Sequence, residues 1–198
     1  MKRSIFIFSI TTLFIFFSCE GERASTPRPH SYPRIEFSDR TYSQFEENYC
    51  PFTFEYPERS TINRKKFFYN DDPIHNCWFN LSLNDLNATL YFTYQSIDNS
   101  SEYEKLVDDA FTMVSKHNTK ANSREESRVG NSDGLEGILF EIGGPVASPL
   151  QFYLSDGKSH FMRASLYYNQ SSASDSLQIV TDYIKEDILH LIGTSSFL

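Results

Sequence analysis

From Pro51 onward the chain alternates short runs in which every second residue is apolar with two stretches of helical period. "FTFEYP" (52–57) puts Phe52, Phe54 and Tyr56 on one side of an extended segment and closes on a proline, as a strand does. "KKFFY" (65–69) predicts a second short strand. "CWFNLSL" (77–83) and "NATLYFTYQ" (87–95) flank the polar pair Asn84-Asp85, with Ala88, Leu90, Phe92 and Tyr94 on one face, and predict a hairpin. Ser101 to Glu104 has capping-box form, the hydroxyl meeting an orphan amide and the carboxylate reaching back to the Ser amide. Tyr103, Leu106, Val107, Ala110, Phe111 and Val114 then make one apolar stripe at helical spacing, so this helix is expected to lie on a sheet. His117 falls on the same side, near a helix C-terminus that favours its protonated form.

Strand patterns resume at 121–129, "LEGILFEIG" (135–143), "LQFYLSD" (150–156) and "KSHFMRASLYY" (158–168). Ile138, Phe140 and Ile142 alternate in one. His160, Met162, Ala164, Leu166 and Tyr168 share a face in another. Asp133-Gly134 and Asp156-Gly157 are turn dipeptides, the second marking a hairpin. A last helix is predicted over Ser176–Leu191, with Asp175 as cap, Gln178 as its box partner and Gly193 as its stop. Strands, helix, strands, helix, with hairpin-linked neighbours, give an α+β fold: an antiparallel sheet with two main helices packed on it.

The N-terminal pattern is of another kind. The apolar run Ile5–Phe17 falls short of the roughly 20 residues a spanning helix needs. Lys2 and Arg3 precede it, and Ser18 stands before Cys19, which is the layout of a lipoprotein signal over residues 1–18. Phe16, Phe17 and Ser18 make a loose lipobox, similar to those of Bacteroidota lipoproteins. An ordinary secretory signal cut near a cysteine is the plainer alternative. On the favoured reading Cys19 is the acylated first residue, and two or three chains at about 0.8 kcal/mol per buried methylene hold the protein at a membrane. Residues 19–41, with Pro27, Pro29 and Pro33 and no apolar period, form a tether, and 42–198 a single globular domain. Glu20 and Glu22 behind the lipid site resemble an export signal to the outer face, interrupted by Gly21.

Charge and cysteines sharpen this picture. The 198-residue chain carries a formal −8, which argues against nucleic acid as a partner and leaves membrane contact to the acyl anchor. With Cys19 given to lipid, Cys50 and Cys77 remain, and an oxidising compartment favours their pairing, at about 3.5 kcal/mol of loop-entropy stabilisation. Two buried free thiols are the alternative. Asp71, Asp72, His75 and Cys77 lie close together, but no second ligand pair follows, so no metal is expected.

Candidate chemistry is sparse. The sequence has no P-loop, no G-x-G-x-x-G, no H-E-x-x-H and no G-x-S-x-G. "SDGKSH" (155–160) gathers Ser, Asp, Lys and His, yet a hairpin turn explains it. "NSDG" (131–134) lacks the remaining ligands of a calcium loop. Asp108 and Asp109 belong to a solvated helix face. "DSL" (175–177) resembles a Bacteroidota O-glycosylation acceptor, which makes Ser176 a glycan candidate that a helix cap would equally explain. No cofactor and no catalytic residue is read from the chain.

Five longer blocks point the same way: "YCPFTFEYP" (49–57), "CWFNLSL" (77–83), "KHNTKA" (116–121), "ASPLQFYLSDGKSHFMRASLYYN" (147–169) and "DSLQIVTDYIKEDILHLI" (175–192). Together they resemble the gliding motility lipoprotein GldD family of Bacteroidota, from about residue 30 to the end. The chain departs from the family at Pro145, Gly157 and Ile179, where an Asn, a Ser and a Pro are usual. The element order is also similar to the PsbP-like fold, an analogy silent on function. The resemblance implies a non-catalytic envelope lipoprotein, its domain in the periplasm, required for gliding and the associated type IX secretion machinery. A GldE-type membrane protein is the first partner to expect. The competing expectation is a ligand-binding lipoprotein, with Tyr91, Tyr153 and Tyr167 stacking on a glycan or peptide from a sheet face that no helix covers.

Overall fold

The computed structural model describes residues 36–64, 77–169 and 174–198. The signal segment, Cys19, the "KKFFY" strand and the Asp71, Asp72 and His75 group lie outside the described residues. Among the described residues, two antiparallel sheets, two α-helices and one turn of 3-10 helix (Asn84–Leu86) make up the fold. The smaller sheet runs β1 (Tyr42–Phe45), β2 (Phe52–Pro57), β10 (Ser196–Phe197) in that spatial order. The larger has seven strands: β3 (Thr61–Arg64), β4 (Phe79–Leu83), β5 (Ala88–Ser96), β6 (Ser123–Gly130), β7 (Glu136–Gly143), β8 (Leu150–Ser155) and β9 (His160–Tyr168). Its order, β3-β4-β5-β9-β8-β7-β6, is two meanders joined where β5 and β9 pair from Ala88↔Tyr168 to Ser96↔His160. Helices α1 (Ser100–Ser115) and α2 (Ser174–Thr194) follow β5 and β9. The fold is α+β.

Strand alternation divides the apolar residues between two cores, one on each face of the large sheet. Leu139, Phe152, Leu154, Met162, Ala164 and Leu166 face α2 and the small sheet, where Phe45, Phe52, Phe54, Val180, Ile184 and Ile188 complete the larger core. Ile138, Phe140, Ile142, Tyr153 and Phe161 face the other way, under Ala110, Val114, Leu106 and Phe111 of α1. The expectation of a sheet covered by helices on one face only is corrected: α1 and α2 cover opposite faces. The odd and even residues of β7 both needed apolar cover, and a single helix layer supplies only one set.

The larger core is built on rings. Phe45 stacks on Phe54 at 4.6 Å and on Phe79 at 4.9 Å, and Phe79 stacks on Phe92 at 4.7 Å. These rings join the small sheet to the large one, and each buried Phe contributes about 1.5–3 kcal/mol. A disulfide between Cys50 and Cys77, with Cα atoms 5.0 Å apart, makes the same join covalently.

Helix ends differ from their sequence signals. The cap of α1 is Asn99, whose side chain accepts from Glu102 N at 3.0 Å, while Glu102 Oε2 accepts from Asp98 N at 2.9 Å. The box therefore sits two residues before Ser101 and Glu104. Helix α2 begins at Ser174, so Asp175 lies within it, and Gln178 Nε2 donates to Asp182 at 2.8 Å and does not reach back to the start. At its other end α2 passes through Gly193, because hydroxyls close its last turn: Thr194 Oγ1 donates to His190 O at 3.0 Å and Ser195 Oγ to Leu191 O at 2.8 Å. Asn131 of the β6–β7 turn completes the closure, donating to Ile192 O at 3.1 Å and Ser195 O at 2.6 Å. None of the helices among the described residues is long and apolar enough to cross a membrane.

Candidate functional site

Three regions hold polar and aromatic side chains in defined arrangements. The first is where the chain enters the domain. Phe37 stacks on Tyr183 of α2 at 4.1 Å, and the Tyr183 hydroxyl donates to Ser38 O at 2.8 Å. Arg40 lies over the same ring at 4.5 Å and donates to Tyr183 O at 3.2 Å. Beneath them Asp187, 3% exposed, pairs with Arg40 at 3.4 Å and with Arg59, and accepts from the Tyr42 hydroxyl at 3.0 Å. Burial, then the hydrogen bond to Asp187, pushes the Tyr42 phenol up to about 12. Residues 37–40, in the stretch read as tether, are thus seated on α2.

The second region is the β8–β9 turn, which holds the Ser, Asp and His of "SDGKSH". Asp156 Oδ1 accepts from the backbone amides of Lys158 (2.9 Å), Ser159 (2.9 Å) and His160 (3.0 Å). Burial acts to raise the Asp156 pKa, but the three amides and the His160 charge outweigh it and hold the carboxyl below its usual range. Ser155 Oγ donates to His160 O at 2.6 Å, and the His160 ring meets the Tyr94 hydroxyl at 2.6 Å. Gly157 takes a φ of 68° that favours glycine. Ser155 and Asp156 are thus spent on the turn itself, and the His160 ring on the Tyr94 hydroxyl. "NSDG" is likewise a clamp: Asn131 Oδ1 accepts from Asp133 N at 3.1 Å and Leu135 N at 3.3 Å.

The third region is the face of the large sheet under and beside α1. The three tyrosines proposed for stacking separate. Tyr153 is 5% exposed and stacks on Phe161 at 5.2 Å, so it belongs to the core. Tyr91 and Tyr167 are half-buried and meet edge to face at 5.5 Å. His117 approaches Tyr167 at 6.5 Å, and its pKa is lowered by burial and then by the Arg163 charge. The helix-terminus effect that would favour imidazolium is outweighed. Arg163 Nη2 donates to Gln151 Oε1 at 2.6 Å, and Ser165 Oγ to the same oxygen at 3.3 Å. Sequence reading passed over both Arg163 and Gln151. Their meeting depends on the β8–β9 register, Gln151↔Ser165 and Tyr153↔Arg163, with no local motif to signal it. Beyond Tyr153, at the N-terminal end of α1, Tyr103, Arg128, Glu136 and Ile138 line an open groove of about 530 Å³.

Cys19 lies outside the described residues, and Ser176 stands in the first turn of α2. Cys50 and Cys77 are joined. Among the described residues no group of three or more His, Cys, Asp and Glu side chains is arranged to hold a metal.

The family model described as "Gliding motility lipoprotein GldD" matches residues 22–197. No curated protein matches the chain. The fold is similar to the solution structure of cyanobacterial PsbP (CyanoP) from Synechocystis sp. PCC 6803, at 10% identity and a TM-score of 0.45, over 84% of this chain and 98% of that one.

Proposed function

Because the chain belongs to the gliding motility lipoprotein GldD family, we propose that it is a non-catalytic component of the cell envelope on which gliding and the associated type IX secretion machinery depend. The observation that carries this reading is the family match over residues 22–197, which takes in both sheets and both helices. The lipobox supplies the anchor: a signal over residues 1–18 is removed, Cys19 is acylated, and the domain stands in the periplasm of a Bacteroidota cell. Its work is done by surfaces, with a GldE-type membrane protein as first partner. The structure supports a scaffold role in that its most conspicuous polar groups, Asp156, Asn131 and Asp187, are spent on turns and on seating the entering chain.

An in-frame deletion tests this reading. Loss of colony spreading together with loss of type IX cargo from the medium is expected. If the deletion strain spreads and secretes as its parent does, the reading is wrong.

A further inference from the structure

Arg163, in the middle of β9, is a half-buried cation that no carboxylate among the described residues approaches within ion-pair distance. In a chain of net charge −8 an arginine left without such a partner calls for a reason. Its position is fixed from below. Gln151, 1% exposed, spends its carbonyl oxygen on Arg163 Nη2 and on Ser165 Oγ, and its own amide nitrogen is buried with no acceptor. A buried donor left unmet beside a guanidinium with free N–H groups makes this spot rich in donors and poor in acceptors.

What surrounds the cation narrows the class of ligand. On the same face β5 and β9 set Thr93 opposite Arg163, Tyr91 opposite Ser165 and Thr89 opposite Tyr167, so hydroxyl-bearing and aromatic positions alternate around the guanidinium. Tyr167, with Tyr91 at its edge and His117 beyond, forms a wall of rings. Burial and the neighbouring Arg163 hold His117 toward its neutral form, so the wall adds little charge. One cation suits a monoanion. A dianionic phosphate commonly gathers several cations or a helix N-terminus, whereas Arg163 is a single cation and the helix end followed by His117 is a C-terminus. The geometry points to a binding site for an acidic sugar, a uronate whose carboxylate sits on the Arg163 guanidinium and whose ring lies against Tyr167. A planar carboxylate matches the guanidinium fork, and a sugar brings acceptor oxygens to the hydroxyls and C–H faces to the rings.

The test is saturation-transfer NMR on the full-length acylated protein in detergent, with D-glucuronate as probe and D-glucose and N-acetylglycine as comparators. Transfer to the ring protons of glucuronate is expected, with neither comparator displacing it at equal concentration. Arg163→Met should weaken binding about 10-fold or more, the loss of a charge-assisted hydrogen-bonded pair. Tyr167→Ala, at a half-buried position, should reduce transfer while keeping a cooperative melting transition, and it carries the test if the Met variant does not fold. No transfer to glucuronate, equal transfer to glucose, or glucuronate binding untouched by both substitutions overturns the site. Competition by N-acetylglycine as strong as by glucuronate itself overturns the sugar assignment in favour of a peptide carboxylate.

Discussion

Asn131 offers the sharpest stability test, because one uncharged side chain closes two elements at once. Its amide nitrogen donates to Ile192 O and Ser195 O at the end of α2, and its oxygen accepts from Asp133 N and Leu135 N within the β6–β7 turn. In Asn131→Ala the exposed Asp133 amide can turn to water, whereas Leu135 and Ser195 are buried and their groups lose partners outright. At about 1 kcal/mol for each neutral hydrogen bond, and more for a buried group left unmet, the net cost is about 2–3 kcal/mol. For a domain of this size that lowers the melting temperature by about 5–10 °C. Urea titration, read at the midpoint with unchanged slope, measures the same quantity independently. Asn131→Asp discriminates further. It keeps both acceptor roles but turns an anionic oxygen toward two carbonyls, so it should destabilise at least as much as Ala. A cost below about 0.5 kcal/mol for Ala, or an Asp variant as stable as the parent, refutes the clamp.

Other perturbations read other joints of the fold. Replacing Cys50 and Cys77 by Ser removes a cross-link spanning 27 residues and should cost about 3.5 kcal/mol in the loop-entropy model, and alkylation of the oxidised, denatured parent should find no free thiol. Asp156 is depressed in the folded state, so its ionised form adds stability above the unfolded pKa near ~4 that fades as pH falls through the folded value. The stability gap between parent and Asp156→Asn should therefore shrink on acidification from about pH 4, and a gap that widens counts against the three-amide turn. Tyr42 is raised to about 12, so its contribution is complete below about pH 10 and lost between there and 12. Tyr42→Phe should cost about 1–2 kcal/mol at neutral pH and flatten the alkaline limb of stability, and an identical alkaline limb in both proteins would remove Tyr42 from the account.

Where the sequence pattern was dense, the fold was legible. The alternation in "GILFEI" and "HFMRASLYY" placed Phe140 and Met162 on their faces, and the stripe from Tyr103 to Val114 located α1. Reading failed where tertiary contacts decide. Strands β1 and β10 are four and two residues long, and they exist because β2 offers both edges for pairing. Two overlapping boxes begin at Asn99 and Ser101, and only the first leaves Glu102 able to reach Asp98 N. Gly193 looked like a stop, but nothing in the local sequence tells that Asn131, far along the chain, will meet the last carbonyls of α2. The anion-ready cluster was invisible for the same reason. Arg163 and Gln151 are diagonal neighbours across a strand pair, a relation set by register alone.

One complementation measures both the family's role and the acyl anchor at Cys19. A deletion strain is supplied with either the intact gene or the Cys19→Ala form, each labelled with radioactive fatty acid and scored for colony spreading. The intact gene should restore spreading and yield labelled protein. The Ala form, made in similar amount, should stay unlabelled and fail to restore spreading. An unlabelled Cys19→Ala protein that restores full spreading, or one that still takes up the label, contradicts that expectation.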